Sequence, residues 1–268
     1  MSLPRFLVPP DAVRAGSATV AGEELAHMRK VLRLRPGARV LLWDGEGTEH
    51  EALIRAYEGG VAAMTVVRSY RPERESPLAV TLAQAVGKGD KMDWIVEKST
   101  ELGVASVAPF FSSHTVPHFA GDKSERRRQR WEKIAAAAAR QSGRTRLPEI
   151  REPDEFDAVL ARDWQCDAKL LLREASQGRE LTRAGGFETR PYRECASTRG
   201  LHALREELGS LQSVLVMVGP EGGFSEAEAA RAATRGFHTV GLGRRILRTE
   251  TAAVAAVCAV QLLWGDLG

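Results

Sequence analysis

Two segments of this 268-residue sequence carry residue types that could hold a small ligand and work on it. The first is Val218-Gly219-Pro220-Glu221-Gly222-Gly223-Phe224-Ser225. Three glycines and a proline make a tight turn whose backbone a ligand can approach closely. A single charged side chain, Glu221, sits in its middle. The second is Leu242-Gly243-Arg244-Arg245-Ile246-Leu247-Arg248-Thr249-Glu250. Ile246 and Leu247 offer apolar surface while Arg248 offers charge, which suits a ligand with a flat aromatic ring and a polar tail. Neither segment is a dinucleotide fingerprint, because G-x-G-x-x-G is absent, and Gly87-Lys88-Gly89 lacks the Walker pattern. A nicotinamide-dependent oxidoreductase is therefore disfavoured. His114 and His118 have a spacing that binds zinc on a helix. Pro117 interrupts them and no third ligand is in reach along the chain, so no metal is expected.

The elements needed to position these segments are legible around them. Each segment lies between an apolar strand (213–218 and 237–242) and a helix (225–235 and 250–264). Ser225 followed by Glu228 reads as a capping box, and Thr249 as the cap of the last helix. Further strands are expected at 78–85, 104–111 and 169–172. Helices are expected at 90–102 and at 124–141, the latter with Trp131, Ile134, Ala135 and Ala138 as its buried stripe. Strands alternating with helices predict a mostly parallel sheet with helices on both faces. Ligands of such sheets bind at the carboxyl ends of the strands. The last helix is apolar all round from Ala252 to Leu263, which predicts burial on every side and a subunit interface. Residues 178–200 are polar and aperiodic, and read as a long loop.

Ahead of this region the rhythm differs. Strands at 39–44, 48–57 and 62–70 form a meander with turns at Gly45-Glu46-Gly47 and Glu58-Gly59-Gly60. A helix over 23–34 has Leu25, Met28, Val31 and Leu32 at helical spacing. The linker at 70–77, with two prolines and four charges, predicts a small β domain at 1–72 and an α/β domain at 73–268.

Composition allows a sizeable core and no membrane span: 43% of residues are hydrophobic, 27% are charged, and no apolar run is long enough. The opening residues lack a signal peptide's apolar stretch. Cys166, Cys195 and Cys258 are odd in number and form no Cys-x-x-Cys pair, which points to a reducing cytoplasm. The net charge of +3 is small, but residues 122–146 carry nine Lys/Arg against three Asp/Glu. Arg126, Arg127 and Arg130 belong to that run, an electrostatic footprint suited to phosphates.

Taken together, the two loop motifs resemble those of the SPOUT-class 16S rRNA (uracil-N3)-methyltransferases. So do Lys88-Gly89-Asp90-Lys91-Met92-Asp93-Trp94, Gln141-Ser142-Gly143-Arg144, the tail Gly265-Asp266-Leu267-Gly268, and the opening with Arg5-Phe6 and residues 27–34. The resemblance covers essentially the whole chain, with 178–200 as an insertion. It implies a trefoil-knotted α/β domain, an N-terminal PUA-like β-barrel, a homodimer, and S-adenosylmethionine as methyl donor. The donor site would comprise Leu172, Gly219, Pro220, Glu221, Gly222, Gly223, Leu242, Gly243, Ile246, Leu247 and Arg248. RNA contacts would come from Arg5, Arg29, Lys30, Arg33, Lys88, Arg126, Arg127, Arg130, Arg140, Gln141 and Arg144, and the partner would be the 30S subunit.

Uracil N3 carries a proton that must leave, and negative charge then spreads onto the flanking carbonyl oxygens. Arg248 or Arg144 would stabilise that charge. Glu221, Glu250 or water would accept the proton. The remaining alternatives are action on another RNA base or on ribose, and a non-catalytic RNA-binding module.

Overall fold

The computed structural model describes residues 3–115, 119–173 and 199–268. The chain divides into two compact units, one of Met1–Glu75 with Ala135–Leu147 and one of Ser76–Ile134 with Pro148–Gly268.

The first unit is built on a six-stranded sheet. Its strands are β1 (Arg5–Leu7), β2 (Val13–Arg14), β3 (Ser17–Val20), β4 (Arg39–Trp43), β5 (Glu49–Glu58) and β6 (Val61–Tyr70), in the order β1-β4-β5-β6-β3-β2. Gly59 and Gly60 both take positive φ, +58° and +78°, so they close the β5–β6 hairpin in two residues. Phe6, Met28, Val40, Leu42, Ile54 and Met64 fill the core. The sheet is barrel-like, but β1 and β2 remain its two edges, so the barrel expected from the sequence is not closed.

The helix expected over 23–34 is shorter. α1 (Gly22–Ala26) passes directly into a π turn at His27–Val31, closed by the Leu32 N–H on the His27 carbonyl at 3.0 Å. A π turn inserts a residue into the helical repeat and rotates the residues beyond it. Met28 is fully buried, whereas Val31 is 65% exposed and Leu32 41%.

In chain order the second unit contributes β7 (Ala79–Ala85), α2 (Lys91–Glu101), β8 (Ser106–Phe111), α3 (Asp122–Ser142), β9 (Glu149–Ile150), β10 (Asp154–Glu155) and α4 (Phe156–Ala161). Beyond them come β11 (Ala168–Leu172), β12 (Arg199–Gly200), α5 (Leu201–Leu208), β13 (Ser213–Val218), α6 (Glu226–Thr234), β14 (Phe237–Gly241) and α7 (Thr249–Trp264). Residues of α3 from Ala135 onward count with the first unit. Every strand pair of this second sheet is parallel, in the order β10-β8-β7-β13-β11-β14-β12 with β9 beside β8.

Both faces of the sheet are covered. Ala83, Phe110, Leu171, Leu215 and Met217 project to one side, where they meet Phe156 and Val159 of α4 and Ala229 and Ala232 of α6. The opposite side packs on α7, which also touches α2 and α5. The loop expected at 178–200 lies outside the described residues except for its last two, which form β12 and not loop.

α7 is not buried all round within one chain. Ala253, Ala256, Val257, Val260, Gln261 and Trp264 are covered, while Cys258 is exposed and Leu262 is 54% exposed. Beyond Thr249 at the helix start, Gln261 is the polar exception on the covered face. It accepts from Ser76 Oγ at 2.7 Å and donates to the Leu102 carbonyl at 3.1 Å. Among the described residues no helix is long and apolar enough to cross a membrane.

Candidate active site

The glycine loop begins where β13 ends. A Cβ on Gly219 would lie 3.2 Å from the Gly223 carbonyl carbon and from the Phe224 ring, so the turn folds tightly onto itself. Gly223 closes it with an N–H on the Pro220 carbonyl at 2.9 Å, at φ +65°, a conformation that costs other residues more. Phe224 anchors the far end in the core, its ring stacked 6.2 Å from Phe110. Ser225 then caps α6 in a complete capping box with Glu228. The buried Glu228 carboxylate also accepts the Ser113 N–H at 2.9 Å. Burial alone would raise its pKa, but the N–H groups of Ser113 and Ser225 and the Ser225 hydroxyl hold it below the ordinary value.

His114, whose spacing from His118 suggests zinc, serves this loop instead. Its Nδ1 lies 3.1 Å from the Gly222 carbonyl oxygen and 3.2 Å from that of Gly223. Carbonyl oxygens only accept, so Nδ1 carries a proton there. His118 lies outside the described residues.

The second loop joins β14 to α7. Gly243 takes φ +94°. The helix starts at Thr249 with Arg248 at the cap position and without a side-chain cap, so Thr249 does not play the capping role expected of it. Its hydroxyl crosses to the first loop and donates to the Gly219 carbonyl at 2.6 Å. It accepts in turn from Gln84 Nε2 at 3.1 Å, while the same nitrogen reaches the Ala85 carbonyl at 2.9 Å.

Between the two loops lies a pocket of about 520 Å³ at the carboxyl ends of β11, β13 and β14. Its wall contains Leu172, Gly219, Pro220, Glu221, Gly222, Gly223, Leu242, Gly243, Ile246, Leu247 and Arg248, the set expected from sequence. Lys91, Arg173, Arg245 and Thr249 also line it and are outside that set. Lys91 belongs to the 88–94 segment that carries the family resemblance, but its spacing from the loops in sequence does not tie it to them. Lys91 Nζ sits 2.7 Å from Glu221 Oε1 and 3.5 Å from Glu250 Oε2. Glu221 Oε1 also accepts the Lys88 N–H at 3.1 Å. Burial pushes the Glu221 pKa up, but Lys91 and the backbone donors outweigh it and keep the carboxyl below its ordinary range. Ile246 is 69% exposed at the lip. Arg173 is paired with Glu226.

The other residues expected to act are distributed over both units. Arg144 is buried in the first unit, with its guanidinium on Glu75 at 2.8 Å, and is not part of the pocket wall. Arg5 donates to Glu49 at 2.8 Å and to the carbonyls of Arg140 and Arg144 at 3.1 and 2.7 Å. Arg140 is held by Glu24. Gln141, Arg29, Lys30 and Arg33 are exposed, the last three on or just beyond the π turn, with Arg29 over the Tyr57 ring. Lys88 is exposed in the loop between β7 and α2. On α3, Arg126 and Arg127 are exposed, Arg127 lying 4.5 Å over Phe119, while Arg130 is paired with Asp93.

Comparison with known proteins bears on this arrangement. A family model described as an RNA methyltransferase domain matches residues 74–261, and one described as an RNA methyltransferase PUA domain matches residues 20–56. The ribosomal RNA small subunit methyltransferase E of Bacillus subtilis is 32% identical over 256 residues, 94% of each chain. The chain belongs to the ribosomal RNA small subunit methyltransferase E family. A member from Mycobacterium bovis is 32% identical over 92% of this chain and 86% of its own. The fold is shared as well. A methyltransferase E from Neisseria gonorrhoeae, solved bound to S-adenosyl methionine, superposes with a TM-score of 0.83 at 31% identity over the whole of both chains. A Legionella pneumophila methyltransferase solved with the cofactor SAM gives 0.84 at 28% identity, again over both chains entirely.

Proposed function

We propose that this chain is a cytoplasmic enzyme that transfers a methyl group from S-adenosylmethionine to N3 of one uridine of 16S ribosomal RNA, acting on the assembled 30S subunit. The observation that carries the reading is the pocket between the two loops that Thr249 ties together. Its chemistry fits the donor. Leu172, Leu242, Ile246 and Leu247 would pack on the adenine ring, and backbone groups of residues 219–223, kept accessible by the glycines, would meet the polar parts. When bound, S-adenosylmethionine supplies an electrophilic methyl on a sulfonium.

The residues of this chain then orient the base and manage its charge. Arg248, on the pocket wall and in solvent reach, donates to the carbonyl oxygens as N3 gives up its proton. Glu221, already bound by Lys91 and the Lys88 N–H, is weakened as a base. Glu250 lies 3.5 Å from the same ammonium and is not on the pocket wall, so water is the favoured proton acceptor. Arg29, Lys30, Arg33, Arg126 and Arg127 would contact the RNA. A homodimer through the outward side of α7, at Val254, Cys258 and Leu262, would cover the surface that one chain leaves open. The deep trefoil knot would lie in the last third, where both pocket loops converge.

The test is mass-spectrometric mapping of modified nucleosides in ribosomal RNA from cells with and without the protein, paired with single-turnover methylation of purified 30S subunits. N3-methyluridine should vanish and be restored. A methyl group on ribose, on C5 or on another base overturns the assignment.

A further inference from the structure

One ammonium group serves carboxylates from both pocket loops. Lys91, the first residue of α2, reaches Glu221 of the glycine loop at 2.7 Å and Glu250 in the first turn of α7 at 3.5 Å. Glu250 Oε2 is buried and makes no hydrogen bond, so its charge is offset through the ion pair with Lys91. Without Lys91, the Glu221 carboxylate on the pocket wall and the neighbouring Glu250 carboxylate would lose their shared cation, beside a pocket that takes a cationic ligand. A sulfonium carries a full positive charge before transfer and none afterwards, when the bond from sulfur to methyl has broken and the sulfur keeps the electron pair as a neutral thioether. Negative charge beside it stabilises the ground state more than the transition state, and slows transfer.

The geometry points to Lys91 as a positioning residue that acts through Glu221 and Glu250: it neutralises them, so that the pocket does not hold the charged methyl donor too tightly to release its methyl. This rests on reading the pocket as the S-adenosylmethionine site. Its consequence is a particular discrimination between S-adenosylmethionine and S-adenosylhomocysteine, which differ in the sulfonium charge as well as the methyl.

Calorimetric titration of both ligands into the full chain tests it. Lys91→Met should shift the ratio of the two dissociation constants toward S-adenosylmethionine by roughly tenfold, the order expected for one unit charge several ångströms away in partly solvated surroundings. Glu221→Gln should shift the ratio the other way. Lys91→Arg should keep it near the wild-type value, and single-turnover methylation should slow in Lys91→Met alone of the two lysine variants. Equal weakening of both ligands in Lys91→Met, with an unchanged ratio, would reduce Lys91 to a structural staple and overturn the inference. A wild-type chain that binds neither ligand would instead overturn the reading of the pocket.

Discussion

The Thr249 hydroxyl donates to the Gly219 carbonyl oxygen across 2.6 Å, and so joins the start of the last helix to the glycine loop. Thr249→Val keeps the shape and removes the donor. The buried carbonyl then loses its partner, at a cost of about 1–3 kcal/mol. Thr249→Ser should restore most of it. Denaturant unfolding of the three proteins reads the stability, and cofactor calorimetry should show weaker binding in the valine variant only. Equal binding by all three would mean that the pocket does not depend on this link.

Gly222→Val should reduce thermal stability as well as cofactor binding. In the sequence alone, the glycine reads only as room for a ligand. In the fold a Cβ at this position would meet the His114 Cβ at 2.9 Å, so the side chain strikes the protein first. A variant that melts like wild type yet fails to bind would assign that space to the ligand alone.

Arg248 and Arg144 should separate experimentally. Arg248→Lys loses the planar donor fork beside the pocket, and turnover should fall about a hundredfold with little change in binding. Arg144→Ala instead leaves Glu75 without its guanidinium, which should destabilise the first unit by on the order of 3 kcal/mol. Turnover of the folded fraction read in single-turnover assays, beside a thermal melt, distinguishes the two.

The pair of Arg144 and Glu75 also sets an acid limit. Burial would raise the Glu75 pKa, but Arg144 and the N–H groups of Thr145 and Arg146 more than reverse this and hold it below the ordinary 4.5. The unfolded chain therefore binds the proton more readily. The stabilisation is fully present above pH 4.5 and is lost as pH falls through the lower, folded value. Glu228 works in the same direction. Melting temperature should drop below about pH 4.5, and more gently in Glu75→Gln.

Charge placed on α7 should act differently on its two sides. Val257 is fully buried in its own chain, so Val257→Glu should unfold the domain. Leu262→Glu lies on the open side and should leave a folded monomer, whereas the proposed dimer should form in the wild type. Light scattering at micromolar concentration checks the mass, and circular dichroism the fold. A monomeric wild type would remove the interface.

Much of the fold and the pocket is legible in the residues themselves. The capping box at Ser225, the apolar strands and the two loop motifs are local patterns, and local patterns survive folding. Most of the features that escape a reading of the sequence depend on contacts between distant segments, and one is a local irregularity of the helix. Thr249 looks like a cap because threonine before an apolar helix often is one, yet its partner is thirty residues earlier in the chain. The π turn at His27–Val31 shifts Val31 and Leu32 outward, although their spacing reads as a buried face. Arg5, Arg140 and Arg144 are expected to contact RNA from the resemblance, and nothing in the sequence hints at their partners within the chain, Glu49, Glu24 and Glu75, which lie 44, 116 and 69 positions away.

The division of α3 between the two units bears on how the molecule is made. Met1–Glu75 is completed by Ala135–Leu147, which supplies two carbonyl acceptors of Arg5 and the cationic partners of Glu24 and Glu75. During synthesis, residues 1–75 emerge with Arg5 already able to reach Glu49 but with Glu24 and Glu75 lacking Arg140 and Arg144, which follow only after residues 76–134. A nascent chain halted before Leu147 would present an unfinished β unit, sensitive to protease. The first unit begins ahead of its neighbour in the sequence, but it can be completed only after part of that neighbour has been translated.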